Sequence, residues 1–313
     1  MFGFLKKKSG EVPEEQERLQ KAAAREAERK EVPEVPEELH ALGQKFRPEE
    51  ISILAVTGAG GFGGSRPREN GPWLAVLELT AWKEEDSDQP AHREETQLVA
   101  VADDKLMEYL RRRVRGDSVF QIMVRPSEDG KQFLMTELPQ PETDPEMKSI
   151  LEEQKKPVSI WVPDLGTFVL NRLVNWFEAE VEWLGQPARL DIDREEDWDA
   201  CVEQAKTLMA DQTGWDEKVR AFAAQELLEQ ANDWEQDSAE NEEREPEEIT
   251  REQFMERLEL DAIQISADGS FEFWFNDGDL FWGHAVHVTG SLDRGPESAQ
   301  MEGYAPTLSK AFP

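Results

Sequence analysis

Cysteine is nearly absent from this chain, with Cys201 alone among 313 residues. A single thiol excludes an internal disulfide and a cysteine-based zinc cage, because both need at least two sulfurs. Histidine is also scarce, with four residues, and no H-E-x-x-H, G-x-S-x-G or Walker pattern occurs. These absences argue against the commonest metallohydrolase, serine-hydrolase and nucleotide-hydrolysing classes.

Long apolar runs are missing as well. No window approaches the roughly 18 apolar residues that span a bilayer. The start, MFGFLKKKSG, places a short apolar run ahead of its lysines, the reverse of a secretory signal peptide. So short a run anchors only weakly at a membrane. Together with the single cysteine, this predicts a cytoplasmic protein without stable membrane insertion.

Positive charge is in deficit, since 35 Lys and Arg face 68 Asp and Glu, a net charge of −33. Such a surface repels phosphate backbones, so we expect no direct nucleic-acid ligand. It suits a cationic protein, whose encounter it would steer. The alternative is that the charge only keeps the protein in solution.

Changes in composition and in hydrophobic periodicity along the chain predict its organisation. We expect a polar helical or disordered extension over residues 1–45, a β-rich domain with one short helix over 46–140, a connector with a short helix and strands over 141–173, an α+β domain over 174–305 and a tail over 306–313. The predicted class is α+β with antiparallel sheets in two domains, the second a β-meander packed by two or three helices.

In the first domain, apolar runs predict strands. These cover residues 51–58, 73–82, 96–103, 119–126 and 132–138. A short helix is predicted between the third and fourth strands, with Asp103 as its N-terminal cap and Gly116 as its stop.

The second domain opens with an alternating hairpin over residues 176–193. Two apolar stripes then predict helices with a break at Thr213-Gly214, followed by an acidic solvated loop over 233–248. Thr250 and Gln253 form a capping box for a further helix, after which a three-stranded meander closes the domain.

TGAGGFGG, residues 57–64, matches the glycine spacing of a dinucleotide-binding loop. That chemistry requires a helix starting at the glycines. Pro67 and the Asn70-Gly71-Pro72 turn leave no room for one, so we expect a loop between two antiparallel strands. Its glycines, with Arg66 and Arg68, form a small cationic spot.

FWFNDGDLFWGH, residues 273–284, is the densest aromatic stretch. Asp277-Gly278 is a strong hairpin signal, which predicts that Trp274 faces Phe281 and that Phe271 faces His284 across the strands. One face then carries core residues, namely Phe271, Phe273, Phe275, Leu280, Trp282, His284, Val286 and Val288. The other face carries Glu272, Trp274, Phe281 and His287.

This register assigns each polar residue of the stretch to one of the two faces or to the turn. His284 lies among aromatics, so a buried, hydrogen-bonded core histidine is expected. His284 and His287 fall on opposite faces and cannot share one metal ion, and Asp277 and Asp279 supply too few oxygens for calcium. We therefore predict no metal, no cofactor and no catalytic residue.

The second face is the candidate partner surface, formed by Glu272, Trp274, Phe281 and His287. The alternative is that another segment of the chain covers the pair Trp274 and Phe281, with the strands at 158–172 as the expected cover.

Several motifs resemble an uncharacterised bacterial family, the domain of unknown function DUF2262. They are W-x-G-Q at 183–186, the helix from Trp215 to Trp234, ITREQFMERL, DGSFEFWFNDGDLFWGHAVHV and MEG at 301–303. The preceding β-rich domain resembles the companion often found ahead of it. The resemblance implies a bacterial cytosolic protein and brings no reaction with it.

Two functions follow from these observations. The first is a non-catalytic protein-binding module, with an immunity or antidote protein for a basic toxin as one form. The second is an enzyme or small-ligand binder that uses an inter-domain cleft with Asp277, Asp279 and His284.

Overall fold

The computed structural model describes residues 40–66 and 71–303. The predicted extension and linker before residue 40, Arg68, and the tail after residue 303 lie outside this range. The chain divides into two compact units between Lys156 and Pro157. The predicted connector, residues 141–173, falls on both sides of this division.

The first unit contains a closed β-barrel. Its strands are β1 (Ile51–Thr57), β2 (Gly63–Ser65), β3 (Trp73–Glu84), β4 (Thr96–Ala102), β5 (Val119–Pro126), β6 (Gln132–Met135) and β7 (Gln140–Pro141). The order β1-β3-β4-β6-β5 closes through the pairing of β5 with β1, and β4 and β6 run parallel. A helix between the third and fourth barrel strands completes the five-stranded Greek-key topology of an OB-fold.

Within the described residues of this unit, three helices accompany the barrel: α1 (His40–Gly43), α2 (Asp104–Arg113) and α3 (Pro145–Gln154). The Asp103 side chain caps α2 as predicted, accepting from the Leu106 N–H. Leu106, Met107 and Leu110 are buried in the barrel core. Helix α3 packs Met147 and Ile150 against the outer side of β1 and β3.

The glycine-rich segment connects antiparallel strands, as expected, because β1 pairs with β3. Gly61 and Gly64 lie close to neighbouring backbone, since an added Cβ would lie 3.1 Å from the Val114 carbonyl oxygen and 2.9 Å from that of Leu74. A Cβ added at Gly116 would lie 1.8 Å from the Ala59 carbonyl oxygen. The segment therefore lies directly against the loop that follows α2, with no helix at its glycines.

The second unit contains an eight-stranded sheet. Its strands are β8 (Ser159–Val162), β9 (Gly166–Asn171), β10 (Trp176–Trp183), β11 (Gln186–Asp193), β12 (Glu259–Ile265), β13 (Ser270–Asn276), β14 (Ala285–Ser291) and β15 (Gly295–Glu302). They lie in the order of the chain. Every neighbouring pair is antiparallel except β11 and β12, which are parallel because helices connect them.

These helices are α4 (Trp198–Met209), α5 (Gln212–Asn241) and α6 (Arg251–Arg257). The break lies at residues 210–211, before the predicted Thr213-Gly214, because Asp211 caps α5. The acidic run was predicted as a loop, but α5 continues through it to Asn241. Arg244 folds back to pair with Glu235, and the predicted capping box of Thr250 and Gln253 is present.

The helices cover one face of this sheet. Their buried residues include Cys201, Val219 and Phe254, which join the core with Phe271, Phe273 and Phe275 of β13. The α+β class is confirmed, with helices packed on a meander. The meander has a fourth strand, β15, which the sequence did not predict, and among the described strands each unit contains a parallel pair. Within the described ranges, every helix is too short or too polar to traverse a lipid bilayer.

Candidate functional site

The predicted two-residue hairpin at Asp277-Gly278 is wrong. Strand β13 ends at Asn276, which pairs with Ala285, so residues 277–284 form a longer loop. Trp274 pairs with His287 instead of Phe281. The partner moves from residue 281 to residue 287, an even displacement, and an even displacement leaves side chains on their predicted faces.

The Asp277 carboxylate organises this loop. It is buried, with 4% of its surface exposed. It accepts hydrogen bonds from the backbone N–H groups of Phe281 at 2.6 Å and Gly283 at 3.1 Å, and a longer one from Asp279 at 3.3 Å. Its oxygens are therefore engaged by backbone donors, which gives Asp277 a structural role.

Phe281 and His284 do not lie on the strand faces predicted for them. Phe281 is fully buried in the loop, edge-on to Trp234 and Phe254. His284 is half-buried, and its Nδ1–H donates to the Phe281 carbonyl at 2.6 Å. Both assignments failed because the Asp277 carboxylate folds these residues into the loop.

Trp282 was predicted in the core but is 60% exposed. Its φ is +56°, a conformation that costs a bulky residue free energy. Its ring centroid lies 4.6 Å from that of Trp234 on α5, and the Trp234 ring also meets His284 edge-on at 5.4 Å. We call Trp234, Trp282 and His284 the aromatic corner.

The sheet face opposite the helices brings together three of the four predicted partner-surface residues. Trp274 stacks on His287 with centroids 3.8 Å apart and planes 13° apart. His287 Nε2 hydrogen-bonds Glu272 at 2.8 Å. That bond, with the charge of His287 and a bond from Trp274, outweighs burial and lowers the pKa of Glu272.

The expected cover of Trp274 is not provided by residues 158–172. These residues form β8 and β9, which extend the same sheet beyond β10. Three strands separate β9 from β13, and neighbouring strands lie about 4.8 Å apart. Trp274 is half-buried, and its partner is His287.

Carboxylates extend across this face, which we call the open sheet face. Cross-strand partners share a face, and the register from Glu272 and Trp274 places further residues on it. They include Gln264 and Ala262 on β12, Arg189, Asp191 and Asp193 on β11, Trp176, Glu178, Glu180 and Glu182 on β10, Thr289 on β14 and Gln300 and Glu302 on β15. The same register places Val169 and the strongly exposed Trp161 at the outer end.

One ion pair on this face is deeply buried. Arg189 Nε donates to both carboxylate oxygens of Asp191 at 2.9 Å, and Asp191 is 2% exposed. Burial raises the pKa of Asp191 to about 6, although Arg189 opposes the shift. The ionised form of Asp191 is therefore disfavoured by its surroundings.

A second sheet surface, on the barrel, is covered by apolar side chains of the same chain. OB-folds bind oligonucleotides and oligosaccharides on the face of their second and third strands, here β3 and β4. Phe46 and Val99 are buried there at 4% and 3% exposure, together with Leu134. This face therefore presents a packed cluster.

Metal and thiol chemistry find little support in residues 40–66 and 71–303. Within those ranges, no three His, Cys, Asp or Glu side chains are grouped so that they could hold a metal ion. Cys201 is fully buried, and burial raises the pKa of its thiol to about 11. A protonated, buried thiol is a poor nucleophile.

Two functional candidates were missed in the sequence. The hairpin register assigned Trp282 to the core, and Trp234 was assigned to the apolar stripe of the helix from Trp215 to Trp234 that is named in the family resemblance. The position of Trp234 was the one sequence signal for this site. It lies at the start of the acidic run 233–248, where a tryptophan is expected to border solvent.

Comparison with known families confirms the resemblance. Residues 163–301 match DUF2262, described as an uncharacterized protein conserved in bacteria, and residues 38–154 match DUF7021, a domain of unknown function. Comparison with curated proteins gave no match. Among solved structures, the wild-type single-stranded DNA binding protein from Thermus aquaticus is similar at 12% identity, over 47% of this chain and 74% of that chain, with a TM-score of 0.21. That TM-score carries no argument about fold or function.

Proposed function

Residues 163–301 match DUF2262, a bacterial family to which no function is assigned, and we propose, from the geometry of the second unit, a function for this protein. It is a non-catalytic module that binds a cationic protein. The observation that carries the proposal is the open sheet face. It presents Trp274 and His287 within rows of carboxylates, on the side of the sheet that its helices leave free.

The chemistry of this face suits a basic partner. Tryptophan is enriched among residues that dominate binding energy. The neighbouring carboxylates favour the approach of positive charge, and the net charge of −33 strengthens the long-range field. Arg189 is the one arginine of the face as defined above, and it is paired with Asp191.

His287 holds Trp274 in place on this face. Its ring stacks on the indole with centroids 3.8 Å apart, and its Nε2 hydrogen-bonds Glu272 at 2.8 Å. An indole that is already fixed loses little conformational freedom when a partner binds.

An immunity or antidote protein that caps a basic toxin is the specific form of this function that we propose. A toxin that acts on nucleic acid is commonly basic because it must bind phosphates. An acidic face with an aromatic centre would occupy the same cationic surface.

The test is capture of partners from the encoding bacterium, followed by binding of the purified partner. The bait proteins are the unmodified chain, Trp274→Ala, and Leu173→Ala as a change at an exposed apolar residue outside both the open sheet face and the aromatic corner. We expect a basic partner whose affinity falls at least ten-fold with Trp274→Ala and falls steeply as salt increases. An acidic partner, or one indifferent to Trp274 and to salt, would refute the proposal.

A further inference from the structure

The aromatic corner is a second feature of the FWFNDGDLFWGH motif. Trp282 is held out from the loop at φ +56°, between Gly283 at +87° and a preceding turn with Asp279 at +66°. An exposed indole contributes little burial free energy to the stability of the fold, and its left-handed backbone conformation costs free energy. Strain of this kind is held in place by surrounding structure and is common at binding sites.

The corner is rigidly built. The Asp277 carboxylate accepts from the N–H groups on both sides of Trp282, those of Phe281 and Gly283. His284 is fixed by its bond to the Phe281 carbonyl. Trp234 stands on α5, a helix of 30 residues, and supports the Trp282 ring from behind. The exposed indole therefore loses little conformational freedom on binding.

The electrostatic setting of the corner is acidic. Asp233 and Asp237 lie on α5 within one turn of Trp234, and both are exposed, as is Asp279 in the loop. Arg244 is engaged by Glu235 and Glu242. Arg257 lies at the start of the loop, against Gly278.

Two other tryptophans in this protein carry a cation from their own chain. Arg66 and Arg111 lie over Trp73, and Lys218 lies over Trp215. In the described part of the chain, no lysine or arginine lies over the rings of Trp234 or Trp282. The exposed face of Trp282 is thus an aromatic surface in an acidic setting without an internal cation.

We propose that the aromatic corner is a binding site for a guanidinium group, presented by an arginine side chain of a protein partner. A planar guanidinium stacks on an indole face and sheds its water more readily than an ammonium group. Asp237 and Asp279 attract its charge. The site is separate from the open sheet face, and a small molecule can test it without the partner.

The probe is N-acetylarginine amide, titrated into the full chain while the tryptophan indole N–H signals are followed by nuclear magnetic resonance. The signals of Trp282 and Trp234 should shift saturably, with a dissociation constant in the millimolar range. N-acetylcitrulline amide, which keeps the shape and lacks the charge, should leave them unchanged. N-acetyllysine amide should bind more weakly than the arginine probe.

Trp73 is the internal control, because Arg66 and Arg111 of the same chain already lie over its ring. Its signal should remain in place. Equal shifts at Trp73, equal shifts with the citrulline probe, or no shift at Trp282 would overturn the proposal.

Two variants complete the test. Trp282→Ala should abolish the response of Trp234, while an unchanged signal from buried Trp183 shows that the fold is intact. Trp274→Ala should leave the arginine response unchanged, and its loss in that variant would also contradict a separate site. A protein that binds arginine but no basic partner disproves the proposed function alone, and the reverse result disproves this inference alone.

Discussion

Replacing Asp191 by asparagine should change how stability depends on pH. Asp191 is 2% exposed, and its pKa is raised from 3.8 to about 6 because burial disfavours the carboxylate. A carboxyl whose pKa is higher in the folded state binds more protons there than in the unfolded chain. Its contribution to the free energy of unfolding therefore falls as pH rises from about 4 through 6.

The magnitude follows from the shift. About two pH units at ~1.4 kcal/mol each give roughly 3 kcal/mol at neutral pH. Linkage between those two pKa values places about 1.4 kcal/mol of this loss between pH 5 and 7.5. The asparagine amide in the Asp191→Asn variant does not titrate, so the variant should gain about that much stability relative to the unmodified protein across this range.

Urea unfolding at a series of pH values, followed by tryptophan fluorescence, measures this difference. The control is Asp193→Asn, two residues along the same strand and on the same face, with a half-buried side chain. Apart from the replaced carboxyl, the titrating groups of each variant and of the unmodified protein are the same, so their contributions to the pH dependence cancel. A difference between Asp191→Asn and the unmodified protein that is flat with pH, or that falls as pH rises, would show that Arg189 outweighs burial.

Three further results are expected. Asp277→Ala should lower the free energy of unfolding by about 3 kcal/mol in urea titrations, because backbone donors lose a charged acceptor, and a change below ~1 kcal/mol would contradict its anchoring role. Gly116→Ala should destabilise by several kcal/mol in the same assay, because its Cβ meets the Ala59 backbone, whereas Gly60→Ala meets nothing within 4 Å and should be tolerated better. Cys201 should react with Ellman's reagent only after unfolding, and rapid reaction of the native protein would refute its burial.

Local signals predicted most elements correctly. The barrel strands, the Asp103 cap and the capping box at Thr250 each depend on a few adjacent residues, so the sequence contains the whole signal. The α+β class followed from their order. Neither parallel pair was predicted, because β5 lies between β4 and β6 and three helices lie between β11 and β12, and local patterns do not encode pairings across such distances.

The hairpin failed for an identifiable reason. Asp277 and Gly278 favour a tight turn, but the Asp277 carboxylate instead binds the N–H groups of Phe281 and Gly283, and burial of Leu280 and Phe281 stabilises the longer loop. A side chain that competes with the backbone ladder for donors is difficult to detect from residue types alone.

The candidate site was predicted in part. Strand alternation placed Glu272, Trp274 and His287 on one face, and the even change of register preserved that result. Trp282 was misplaced because its position depends on the loop. The contact between the Trp234 and Trp282 rings joins residues far apart in sequence, and hydrophobic periodicity does not indicate which helix residue meets which loop residue.

The parallel pairing of β11 with β12 has a consequence for how the second unit folds. We call this parallel pair the seam. On each side of it lie four antiparallel strands, which short loops connect and which can therefore pair early in folding. The seam itself pairs only Arg189–Asp191 with Ala262–Gln264, and it closes across residues 194–258. Closing so long a loop is entropically costly before the helices dock. The joining of two preformed half-sheets should therefore be the late, slow event in folding, and the buried Asp191 lies on the line where they meet.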